Sequence, residues 1–139
     1  MGVVTAWGAG IFQDDLASDF VAEIVQSDGP AILRRALSRA GQARGHLLYE
    51  LAVQALIAAE VLAAVRGRPT RALPPELARW AANHHREGIA EALRPLATAA
   101  IERVKEDSEI AELWARSDDV GGWIERVDDL LDRLNSPAG

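Results

Sequence analysis

Four carboxylates, Asp14, Asp15, Asp19 and Glu60, with His46 or Glu50 as further members, are the side chains of this 139-residue sequence best suited to act together. A group of that kind holds a divalent cation or works as acid and base in hydrolysis. Helical bundles bind metals between facing helices through glutamates paired with a Glu-x-x-His segment. The sequence has no such segment and no His-Glu-x-x-His. Asp15 and Asp19 also fall opposite the apolar face of their own helix, where a carboxylate is simply solvated. No metal and no cofactor is therefore expected, and a metal-dependent hydrolase using Asp15, Asp19 and Glu60 stands as an alternative. Gly8-Ala9-Gly10 ahead of a helix is a weak phosphate signal, because no strand precedes it and Asp14 and Asp15 stand where the anion would sit. His84-His85 are adjacent, so on a helix they point about 100° apart. They follow Asn83 at a helix end, where a cationic side chain suits the dipole. His46 lies one turn before Glu50 and is placed where it could pair with it across the turn.

The element that must position Glu60 is the stretch Leu51 to Val65, LAVQALIAAEVLAAV, apolar on every side except at Gln54 and Glu60. A helix of that kind is wrapped by its neighbours. Glu60 shares a wheel face with Tyr49, Val53 and Leu56, so its carboxylate is expected to be buried. A buried charge must be hydrogen-bonded or neutral. No Arg or Lys lies within a turn of it on its own helix. The donors expected are the indole N–H of Trp7 and the backbone N–H groups of Gly8 to Gly10, which would anchor the N-terminal loop on the central helix.

Residues 7–20, WGAGIFQDDLASDF, are the least generic segment. Gly8 and Gly10 permit a shaped loop with Trp7 and Phe12 turned inward. Asp14 is placed to cap a helix to about Gln26, with Leu16, Phe20, Val21 and Ile24 as its apolar face and Asp15, Asp19 and Glu23 as an acidic stripe. Pro30 starts a second helix, to Ala40, whose Arg35 or Arg39 should approach that stripe. Gly41 to Gly45 breaks the chain before the central helix, His46 to Arg66, and Gly67 with Pro69 ends it. Pro75 opens a short helix to about His84. From Glu87 to Glu106, Ile89, Leu93, Leu96, Ala100 and Val104 keep one phase across Pro95. A proline there costs about 3 kcal/mol, yet the phase predicts a single kinked helix. Asp107-Ser108 caps another short helix, Ser117 to Gly122 is a flexible join, and the last helix carries a seam of Trp123, Ile124, Val127, Leu130, Leu131 and Leu134. Its far side is acidic. The four tryptophans, at 7, 80, 114 and 123, read as core. The expected fold is all-α, one domain over residues 1–139, a bundle of six or seven helices around a buried central helix.

Composition narrows the function. With 49% hydrophobic and 26% charged residues the sequence is globular, and with no cysteine it excludes disulfides, thiolate nucleophiles and sulfur-held zinc. The net charge of −6 divides as −5 over residues 1–29, +5 over 30–100 and −6 over 101–139. That pattern fits acidic ends packed on a basic middle better than nucleic-acid binding. The longest apolar run, broken by Glu60, is shorter than the roughly twenty residues of a membrane span. No secretory start or myristoylation pattern is visible, so a cytoplasmic location is expected.

The opening Trp7-Gly8-Ala9-Gly10-Ile11-Phe12-Gln13-Asp14-Asp15-Leu16-Ala17-Ser18-Asp19 resembles that of a family of small bacterial proteins, DUF4259, which begin Trp-Gly-x-Gly-x-Phe followed by Asp-x-Ala-x-Asp. Ala58 to Ala64 and Ser108 to Trp114 are similar to that family as well, and the resemblance spans nearly the whole chain. It departs at His84-His85 and at Gly121-Gly122. A domain of unknown function lends no catalytic residue. The resemblance does single out Trp7, Gly8, Gly10, Phe12, Asp15, Asp19 and Glu60 as matching motif positions. Whether the chain is an enzyme stays open at this stage. The reading preferred is a small interaction or regulatory module without catalysis, meeting another protein through its acidic helix faces. The alternatives are the hydrolase above and a small-ligand binder with a pocket between the central helix and the Trp7 loop. Oligomeric state is not legible.

Overall fold

The computed structural model describes residues 15–85 and 88–136. They form seven α-helices: α1 (Asp15–Gln26), α2 (Ala31–Gln42), α3 (Tyr49–Val65), α4 (Pro75–His84), α5 (Ile89–Glu106), α6 (Glu109–Ala115) and α7 (Val120–Asn135). The architecture is the all-α bundle expected. Among the described residues no strand forms, and an isolated bridge joins Leu47 to Ser108. No helix is long and apolar enough to cross a membrane among these residues.

Helix α3 is apolar all round because each of the other six helices touches it. From Ala55 to Ala63 every residue is buried. Its alanines add little bulk and let neighbours pack closely, while each buried Leu, Ile or Val contributes about 1.5–3 kcal/mol over leaving it exposed. The helix stops where Gly67 takes a left-handed φ of 87°. There the Gly67 N–H donates to the Ala64 carbonyl at 2.9 Å and the Arg68 N–H to the Ala63 carbonyl at 2.9 Å. This paired closure satisfies carbonyls that the helix itself leaves open.

Helix α5 runs unbroken through Pro95, and Ile89, Leu93, Ala97, Ala100, Ile101 and Val104 are buried along it. The continuous face outweighs the local cost of the proline. Ser108 then caps α6: its Oγ accepts the Ala111 N–H at 3.0 Å and donates to the Val104 carbonyl at 2.7 Å. The hydroxyl therefore ties α5 to α6 in a fully buried position. Ser108→Ala is expected to cost about 1–2 kcal/mol in thermal denaturation. An unchanged melting temperature would contradict this role.

The chain departs from the sequence expectation in several places. Pro30 sits just before α2 and lends its carbonyl to the Arg34 N–H at 3.0 Å, while α2 continues through Gly41 to Gln42. Leu16 is 37% exposed, and Ala17 takes the core position beside Phe20, Val21 and Ile24. Gly121 and Gly122 belong to the first turn of α7, so the join is shorter than predicted. Ile124 is exposed, whereas Trp123, Val127, Leu130 and Leu134 are buried. Arg35 does reach Glu23, at 3.9 Å and with both side chains wet. That ion pair contributes at most about 1 kcal/mol. Trp80, Trp114 and Trp123 are in the core, with the last two stacked at 5.7 Å between ring centres. Trp7 and the expected cap Asp14 lie outside the described residues.

Candidate functional site

Glu60 is 2% exposed, as its place on α3 requires. Among the described residues its donors come from the far end of the chain. Arg133 on α7 donates from Nη1 to Oε1 at 2.8 Å and from Nη2 to Oε2 at 3.1 Å. The same guanidinium donates from Nε to Asp129 at 2.7 Å, one turn earlier on α7, and from Nη1 to the Arg68 carbonyl at 3.2 Å. The donors expected from the sequence, Trp7 and Gly8 to Gly10, lie outside the described residues; among those described, the Arg133 guanidinium engages both carboxylate oxygens. A forked, two-point pair of this kind is the strongest form of the interaction. Burial pushes the Glu60 carboxyl above the ordinary range, with Arg133 opposing. Burial works against the Arg133 charge in turn, and Glu60 and Asp129 hold it in place.

A second arginine completes the junction. Arg66 ends α3, its side chain is 3% exposed, and it donates from Nε to the Arg133 carbonyl at 3.2 Å, from Nη2 to the Ser136 carbonyl, and from Nη1 to Glu91 at 2.6 Å. Two of these acceptors are open carbonyls at the negative end of α7, where a cation is favoured. Arg133 and Arg66 thus bolt α7 to α3. Most of their donors engage protein oxygens, so the arrangement acts as a clasp between the two helices.

Of the remaining motif residues, two are described, and neither hydrogen-bonds to this cluster. Asp15 and Asp19 are exposed on α1. Trp7, Gly8, Gly10 and Phe12 lie outside the described residues. Among those described, no group of three or more His, Asp or Glu side chains could hold a metal ion. His84 stacks on Trp80 at 3.9 Å and bonds the Trp80 carbonyl at 2.8 Å, a packing role.

His46 does not pair with Glu50. Its Nδ1 lies 2.6 Å from Asp107 and its Nε2 3.2 Å from Glu112. The backbone explains the choice. Leu47 donates to the Asp107 carbonyl at 3.0 Å and accepts the Glu109 N–H at 2.9 Å, drawing the loop before α3 onto the α5–α6 junction. Glu109 reciprocates by accepting the Tyr49 N–H at 2.6 Å, one of the open donors at the start of α3. The hydrogen bond to Asp107 leads in raising the His46 pKa above its ordinary 6.5, desolvation opposes, and Glu112 adds to the rise. The tie therefore stabilises fully below the unfolded-state value and fades as pH climbs through the folded-state one.

This histidine stands on the rim of an open cleft of about 510 Å³ between the α5–α6 junction and the start of α7. The floor is apolar, with Val120 and Ile124 each 40% exposed beside buried Trp123. The rim carries Glu106, Asp107 and Glu112, while Lys105 is engaged by Asp128 at 2.7 Å. A smaller open hollow, about 390 Å³, lies between the end of α3 and α4 and is walled by Val65, Leu73 and Ala81. Sequence reading missed the first cleft because it put Ile124 in the core and His46 beside Glu50. The one legible hint was Ile124 next to Trp123, since adjacent residues point about 100° apart and the second of such a pair falls at the edge of the apolar face.

Set against family models, residues 5–126 match a domain of unknown function, DUF4259. No curated protein and no solved structure matches the chain.

Proposed function

Because the chain belongs to the DUF4259 family, which carries no assigned activity, the reading rests on its own geometry: we propose a small cytoplasmic interaction module without catalysis, receiving a segment of a partner protein in the cleft beside α6 and α7. The observation that carries this is an exposed apolar floor, Val120 and Ile124, set against an acidic rim of Glu106, Asp107 and Glu112. Exposed apolar surface ringed by charge is the ordinary anatomy of a binding face. The charge selects the partner: an aliphatic side chain flanked by Lys or Arg fills the floor and neutralises the rim. The buried ions support the same reading, since Glu60, Arg133 and Arg66 are consumed in holding helices together.

The test is affinity capture from a lysate with the intact chain and with Ile124→Asp, read by mass spectrometry. Ile124 is exposed, so the substitution should change stability by about 0.5 kcal/mol or less. A protein retained by the native chain and lost, by about tenfold or more, with Ile124→Asp is the expected result. Equal recovery on both would refute the cleft as the contact surface. Loss on Asp19→Lys instead would move the contact to the acidic face of α1.

A further inference from the structure

The loop preceding α3 reaches the rim of the cleft through a single side chain, His46, which sits between carboxylates of two different elements: Asp107 at the end of α5 and Glu112 on α6. A neutral imidazole has one N–H and one bare nitrogen, so only the imidazolium donates to both acids at once. The other charged groups nearby are committed elsewhere or add to the acidic side. Arg103 on α5 donates to the Gly45 carbonyl, Lys105 holds Asp128, and Glu109 on α6 accepts the Tyr49 N–H. Glu106 shares the cleft, Glu50 lies in the first turn of α3, and α7 lines the cleft with Val120, Trp123 and Ile124, none of which titrates.

We propose that His46 gates this cleft: its imidazolium occupies Asp107 and Glu112, and a cationic segment of the partner takes its place at Glu112 when the proton leaves. The inference rests on the reading of the cleft given above and adds its regulation. When His46 loses its proton to solvent, one carboxylate is left without its N–H donor and the rim becomes one charge more negative. Both changes favour a Lys or Arg from the partner. Binding and protonation then compete for the same acid, with at most one proton released per segment bound. The association constant rises by up to tenfold per pH unit below the His46 pKa and levels off above it. The two acids raise that pKa above its ordinary 6.5, so the rise in affinity extends above that value.

The probe is the blocked tripeptide acetyl-Arg-Leu-Arg-amide, whose charge is constant over the range, titrated into the full chain by NMR at about pH 6 and about pH 8.5. The expected result is perturbation of the Val120 and Ile124 amides, with affinity about threefold or more higher at the upper pH. His46→Gln, neutral and exposed, should bind equally at both. The same probe should also lower the midpoint of the His46 ring titration. Probe binding at Val120 and Ile124 with the same affinity at both pH values overturns the gate and leaves the cleft reading standing. A pH dependence that survives in His46→Gln overturns the gate too. No perturbation at Val120 or Ile124 at either pH overturns the cleft reading itself, and the gate with it.

Discussion

Arg133→Ala should lower unfolding free energy by about 3–5 kcal/mol, because it strands Glu60 as an uncompensated charge in the centre of the bundle. Glu60 is 2% exposed and both its oxygens accept from this one guanidinium. The magnitude reflects what is left behind more than what the pair itself contributes. Hence replacing both partners, with Glu60→Leu and Arg133→Leu together, should cost far less than the sum of the single changes, and a urea-denaturation double-mutant cycle reads the difference. The pH dependence of Arg133→Ala carries a defined sign. Burial already pushes the Glu60 carboxyl above its ordinary 4.5, and Arg133 is the group opposing that push. A carboxyl raised in the folded state adds stability that is complete below its unfolded pKa and is lost as pH climbs through the folded one. The deficit of the variant is therefore largest at neutral pH and shrinks on acidification. A cost below about 1 kcal/mol at neutral pH would mean that the clasp is not what keeps Glu60 buried.

The same pair shows where sequence reading stops. That α3 is central follows from its lack of any polar face, and that Glu60 is buried follows from its companions Val53 and Leu56. Both are local periodicity, a property one helix carries in itself. Pro95 within α5, the glycine stop at Gly67 and the Ser108 cap are legible for the same reason. Which donor meets Glu60 is different in kind, because Arg133 lies 73 positions away and its arrival depends on the register of α7 against α3. Asp129 and Arg133 stand four apart and read as a routine surface pair; nothing in α7 alone says that the arginine turns inward. His46 fails in the opposite way. Glu50 is its neighbour along the chain, but the backbone bridge at Leu47 and Ser108 carries the imidazole to Asp107 and Glu112. By wheel position Leu16 and Ile124 fall on apolar faces, yet each lies at the margin of a face whose centre is filled by Ala17 or Trp123. Amphipathicity marks the middle of a buried stripe well and its edges poorly.

Arg66→Ala is expected to cost on the order of 3 kcal/mol, since it removes charge-assisted hydrogen bonds and the packing of a buried stem. The argument turns on where its acceptors lie. Glu91 is 64% exposed and can recover its partner from water, so Glu91→Ala should cost less than about 1 kcal/mol. The Arg133 and Ser136 carbonyls are different: they end α7 and face the closure of α3. Without Arg66, the last turn of α7 loses its tie to α3, and amide exchange there should quicken more than in α2 or α4. Arg66→Lys should recover only part of the loss, because one ammonium cannot span acceptors that the planar fork reaches separately. The two arginines also interlock: Arg66 donates to the Arg133 carbonyl while Arg133 donates to the Arg68 carbonyl. Removing both should therefore be non-additive, by about 0.5–3 kcal/mol. Simple additivity, or Arg66→Ala within about 0.5 kcal/mol of the native chain, would show that α7 is held by its apolar seam alone and that the buried ions of this junction are passengers.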